Sequence, residues 1–134
     1  CNPMALIRHP SSRIRDASGR ADDVKLPLVI VFSGIFLMMI FVTVRASLAI
    51  SIWEVWDSYA ANPWAVATLY DAYSGFSIFW IWVAWRERTW GARLLWFVLI
   101  MGLGNIATSL YLLMQLLRLA PDQPASVILG KRIV

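Results

Sequence analysis

Polar and apolar residues fall into long blocks instead of alternating. Residues 1–25, CNPMALIRHPSSRIRDASGRADDVK, are largely polar. Three apolar runs follow. LPLVIVFSGIFLMMIFVTV begins at Leu26 and continues past Arg45 to Trp53, a second run extends from Trp64 to Trp85, and a third, LLWFVLIMGLGNIATSLYLLMQLL, covers 94–117. A helix needs about 20 apolar residues to cross a bilayer core of about 30 Å, and each run meets that length. The pattern predicts an all-α integral membrane protein with three transmembrane helices, over about 27–52, 64–85 and 94–117. Pro27 suits a first helical turn, and Asn62-Pro63 is a helix-start signal. The connection RERTWGAR at 86–93 is short enough to make the second and third spans an antiparallel hairpin. Each run is apolar nearly all round, so periodicity does not separate a lipid face from a protein face. The expected organisation is a basic tail over 1–25, a membrane domain over 26–118 and a C-terminal tail over 119–134.

Composition agrees with a lipid-solvated chain: of 134 residues 60% are hydrophobic and 15% charged, with a mean hydropathy of +0.65. Globular domains are about a quarter charged. Placement of charge matters more than the net +4. With three spans, Arg8, Arg13, Arg15, Arg20 and Lys25 share a side with Arg86, Arg88 and Arg93, and the stretch carrying Glu54 and Asp57 lies opposite with Arg118, Lys131 and Arg132. The positive-inside rule then places the N-terminus in the cytoplasm, stroma or matrix and the C-terminal tail in the lumen or periplasm. The Arg- and Ser-rich tail has the composition of an organellar transit region, or of a solvated segment lying on anionic headgroups. It lacks interleaved aromatics, which argues against nucleic-acid binding. Cys1, the single cysteine, leaves no internal disulfide and is a candidate for lipidation.

Polar residues inside the runs are the candidate chemistry. Asp71 lies about 10 Å and Arg45 about 12 Å from the acidic-loop surface, counted at 1.5 Å per residue. An unpaired ion at mid-bilayer costs at least about 2.5–3.5 kcal/mol, so an Arg45–Asp71 pair between the first two spans is expected. The alternatives are a snorkelling Arg45 with a neutral Asp71, or a proton or ion path through Asp71. In the third span Gly102, Gly104 and Thr108 allow close helix approach, and Asn105 can hydrogen-bond across that contact. Asn105, Gln115 and Asp71 are also candidate pigment ligands, each able to offer an oxygen to a chlorophyll magnesium. Most of the eight Trp fall at span ends as an aromatic belt. Trp80 and Trp82 sit deeper, where a partner or cofactor ring could pack. His9, the only histidine, lies beside Pro10 in the tail. No nucleophile–base set, HExxH or phosphate-binding loop is present, so enzymatic activity is not expected.

Pro63-Trp64, TLYDAY at 68–73, Trp82 through WRER at 85–88 and RLLWFVLIMGLGNIA at 93–107 together resemble a family of small three-helix membrane proteins of cyanobacteria, other bacteria, algae and plants. That family is known as a conserved domain of unknown function. The resemblance covers about 62–117 well and the first span loosely, with the basic tail outside it. It implies a three-span fold, marks Asp71, Arg93 and Asn105 as motif positions, and implies no activity. The expected function is a non-catalytic accessory subunit of a larger membrane complex. The resemblance points towards a photosystem or light-harvesting assembly in a thylakoid or bacterial membrane, with chlorophyll or carotenoid at the interface and other integral membrane subunits as partners. A transient assembly factor fits the same features. The alternative is a small oligomeric proton-coupled transporter using Asp71.

Overall fold

The computed structural model describes residues 10–120, 123 and 127–128, with residues 10–23 described by backbone alone. The fold is all-helical, with five helices among these residues: α1 (Pro10–Ala49), α2 (Ile52–Ala60), α3 (Pro63–Arg86), α4 (Trp90–Leu103) and α5 (Asn105–Arg118). Capping residues set most of the boundaries. The Ser51 hydroxyl accepts from Trp53 N–H at 3.4 Å, Asn62 Oδ1 from Trp64 N–H at 3.0 Å and Thr89 Oγ1 from Ala92 N–H at 3.3 Å, each taking an orphan donor of a first turn. Helix α1 is longer than expected. It begins at Pro10 and takes in most of the basic tail, so Pro27 lies inside the helix and not at its start. Cys1, Arg8, His9, Lys131 and Arg132 lie outside the described residues.

The third predicted span is not one helix. Gly104 adopts φ 54 and ψ −125, a conformation open to glycine, and the chain folds back on itself there. Along a continuous helix Trp96 and Tyr111 would be about 22 Å apart. Their rings instead meet edge to face with centroids 4.7 Å apart. Helix α4 climbs antiparallel to α3, with Trp80 Nε1 donating to Arg93 O at 3.1 Å and the Trp80 ring meeting Phe97 edge to face at 5.0 Å. Helix α5 then descends beside α4 and against α1. Lys25 Nζ donates to Leu119 O at 3.0 Å, and Leu28, Val29 and Phe32 pack around Leu112, Leu116 and Leu119. The α1–α5 pair is therefore antiparallel.

This geometry overturns the reading of three transmembrane helices. Among the described residues one helical stretch, Val24–Ala49, is long and apolar enough to cross a membrane. At 24 residues α3 has the length, but Thr68, Asp71, Ser74, Ser77 and its tyrosines dilute its apolarity. Helices α4 and α5 have 14 residues each, about 21 Å, well short of the bilayer core. The predicted sidedness changes too. Fold-back at Gly104 brings Leu119 to Lys25 and residues 127–128 to Arg86, so the start of the C-terminal region lies at the basic end of the molecule.

The core sits between α3 and the α4–α5 hairpin. Val83, Ile100, Ala107 and Tyr111 are almost fully buried, with Trp96 beside them. Phe79, Trp82 and Trp96 surround the Tyr111 ring at 6.1, 5.8 and 4.7 Å, all near edge-to-face. Such contacts contribute about 0.5–1.5 kcal/mol each beyond the area they bury.

Candidate functional site

Two polar arrangements stand out, one at each end of the hairpin. The first surrounds the α3–α4 turn. Arg86, the last residue of α3, is buried although charged. Its Nη1 donates to the carbonyls of Val127, at 3.4 Å, and of Ile128, and its Nη2 donates to Gln115 Oε1 at 3.4 Å. The guanidinium also lies over the Trp82 ring, 5.8 Å from its centroid. Next in sequence, Glu87 accepts on Oε1 from the Tyr111 hydroxyl at 2.9 Å, and its carbonyl accepts from Arg93 Nε at 2.9 Å. Arg86 and Glu87 thus tie the turn to the middle and end of α5 and to residues 127–128. Buried polar groups are costly unless satisfied, so this network specifies one seating of the hairpin. Arg93, a motif position, braces the turn from the first helical turn of α4 and covers the Trp90 ring at 5.0 Å.

The second arrangement lies at the hairpin tip. A cavity of about 490 Å³ is lined by Asp71, Gly75, Phe76 and Phe79 from α3 and by Asn105 and Thr108 from α5. Asp71 is 15 residues above Arg86 on α3, about 22 Å, and Asn105 opens α5 just beyond the 21 Å rise of α4. The two therefore meet at one level. Asp71 is exposed and has no hydrogen bond or ion pair among the described residues. Asn105 acts through its backbone, whose carbonyl accepts from Thr108 Oγ1 at 3.2 Å and Ser109 Oγ at 2.6 Å.

The expected Arg45–Asp71 pair does not form. Arg45 is exposed on α1 with its guanidinium over the Phe41 ring, 5.9 Å from the centroid. The pairing assumed that α1 and α3 are neighbours, whereas α1 packs chiefly against α5. Gln115 does not present a free oxygen to a pigment, because it is buried and its Oε1 faces Arg86. Gly104 does permit close approach, but as a turn residue against the Phe76 ring and not within a small-residue stripe with Thr108. Gly102 is exposed, and a Cβ placed there would meet nothing within 4 Å. Among the described residues no group of three His, Cys, Asp or Glu side chains comes together.

Arg86, Glu87 and Tyr111 carry the best-connected polar site, and the hydropathy pattern places the first two in the short connection at 86–93. Their signal was present in WRER, where charge sits against tryptophans, a setting that favours stacked and satisfied guanidinium groups.

Comparison with curated proteins and with solved structures finds no match for this chain. Residues 7–132 match one family model, so the resemblance to a conserved domain of unknown function is correct and extends over most of the basic tail as well. The chain belongs to the family described as Protein of unknown function (DUF1475).

Proposed function

We propose that this chain is a non-catalytic accessory subunit of a larger membrane complex, anchored through α1 with its basic end towards the cytoplasm or stroma. The supporting observation is apolar surface that the fold leaves uncovered. Leu26, Ile30, Leu37, Phe41 and Leu48 along α1 are 62–84% exposed, and no residue of its most apolar window is buried. Exposed apolar surface on this scale calls for lipid or partner helices. The basic end gathers Lys25, Arg86, Arg88, Arg93 and Arg118, opposite Glu54 and Asp57. A photosynthetic assembly is the host that the resemblance favours, with Asp71 and Asn105 as the oxygen donors still open to a pigment. The test is carbonate extraction of native membranes followed by a native gel and an absorption spectrum. Retention in the membrane and migration well above 15.2 kDa are expected. Release as a colourless monomer would refute the proposal.

One observation favours a second reading, a proton-coupled transporter assembled from several copies. Asp71 has no hydrogen-bond or ion-pair partner among the described residues and shares a cavity with Asn105 and Thr108. Proton-driven flux in proteoliposomes abolished by Asp71→Asn supports that reading, and unchanged flux removes it.

A further inference from the structure

Helix α2 follows α1 after a break at Ile50 and Ser51, at the end of the stretch able to cross a membrane. Its nine residues, IWEVWDSYA, divide cleanly around the helix. At 3.6 residues per turn Ile52, Trp53, Val55, Trp56, Tyr59 and Ala60 occupy one arc of about 160°, and Glu54, Asp57 and Ser58 fill the rest. Part of the apolar arc is used internally: Val55 and Tyr59 are half-buried, and the Tyr59 hydroxyl donates to Ala65 O at 3.2 Å. The remainder is not. Ile52 is 58% exposed, Trp53 83% and Trp56 45%, and Trp64 at the start of α3 adds another indole at 82%. Between α2 and α3 a cavity of about 300 Å³ opens, lined by Trp56, Tyr59, Val66, Leu69 and Tyr73 and almost wholly apolar.

Resting on the reading of α1 as the anchor, we propose that α2 lies flat in the membrane–water interface, its Ile52–Trp53–Trp56 face among the lipid headgroups and upper acyl chains. Continuity with α1 places it at that depth. Trp and Tyr are the residues whose amphipathic rings suit the interface. The charged residues of the polar face, Glu54 and Asp57, are both acids, whereas interfacial helices that draw on anionic lipid carry Lys or Arg there. Contact is therefore made by aromatic insertion into zwitterionic lipid and gains nothing from anionic headgroups.

The test uses the full chain with Cys1→Ser, reconstituted in phosphatidylcholine vesicles. Nitroxide labels are attached one at a time through Ile52→Cys, Trp53→Cys, Glu54→Cys, Trp56→Cys, Asp57→Cys and, in α1, Leu37→Cys. Power saturation compares collision with oxygen, which enriches in lipid, and with a water-soluble nickel chelate. Positions 52, 53 and 56 should show an oxygen-to-nickel ratio at least about threefold above 54 and 57, a contrast set by an insertion depth of about 5–10 Å. Nickel access at all five positions overturns the proposal, because the helix is then in water. Exclusion of both reagents at 52, 53 and 56 also overturns it, because a protein then covers the face. A pattern that emerges only when phosphatidylglycerol is added overturns the aromatic mechanism. The Leu37 label separates this failure from failure of the anchor. If it collides with oxygen and not nickel while α2 fails, α1 is in the bilayer and only the interfacial placement is wrong. If it collides with nickel, the anchor itself is wrong.

Discussion

Replacing Gly104 by alanine distinguishes a folded-back hairpin from a continuous third span by the sign of the effect. At φ 54 and ψ −125 an L side chain is strained, at about 1–3 kcal/mol. A Cβ there would also sit 2.8 Å from Phe76 Cζ and 3.1 Å from Cε2, inside contact distance. Overpacking of that kind costs about 1–3 kcal/mol, offset by about 0.4–1 kcal/mol of reduced unfolded-chain freedom. The net expectation is a loss of about 1–5.6 kcal/mol. Were 94–117 one straight helix, the same change would exchange glycine for the best helix former and stabilise by about 1 kcal/mol. Chemical unfolding in detergent micelles measures the difference. The two terms separate in a cycle with Phe76→Leu, because removing the ring abolishes the overlap and leaves the backbone strain. A distance between spin labels at Leu94 and Leu117, both exposed, supplies an independent reading. The hairpin brings them to the same end of the molecule, whereas a straight helix holds them about 35 Å apart. A stabilised Gly104→Ala variant together with the long distance would refute the hairpin.

Tyr111→Phe removes the donor to Glu87 and should destabilise by about 1.5–3 kcal/mol, with Glu87→Gln milder because an amide oxygen still accepts; unfolding of both singles and the double variant checks the coupling. Arg86→Leu should release residues 127–128, raising proteolytic cleavage after Arg118 while α1 and α3 keep their helicity by circular dichroism. Arg45→Leu and Asp71→Leu should be additive within about 0.5 kcal/mol, because the two residues share no partner among the described residues; a coupling well above that value in a double-mutant cycle would restore the ion pair.

Helix class, the long apolar stretch of α1 and the α3 boundaries are local properties, and they were legible in the sequence. The run 26–49 has no competing pattern, and Asn62-Pro63 starts a helix wherever it is placed because its side chain and fixed φ act on adjacent residues. The hairpin was not legible. Gly-x-Gly-Asn within an apolar run reads equally as small residues for close helix packing and as a reversal, and hydropathy is blind to a single φ. A straight run would leave α1 beside α3, Gln115 open to a ligand and the C-terminal region at the far side, whereas the fold-back sets α5 against α1, turns Gln115 onto Arg86 and returns Leu119 to Lys25.

The sequence by itself determined that the chain is helical and that Val24–Ala49 is apolar enough for a membrane, because each follows from residue type and spacing alone. Only the tertiary structure decided which helices meet. One glycine at positive φ turns α5 back along α4. That turn seats the buried Arg86 and the half-buried Glu87 in one hydrogen-bonded network and brings Asp71 level with Asn105, contacts between residues too far apart in the chain for any local pattern to encode.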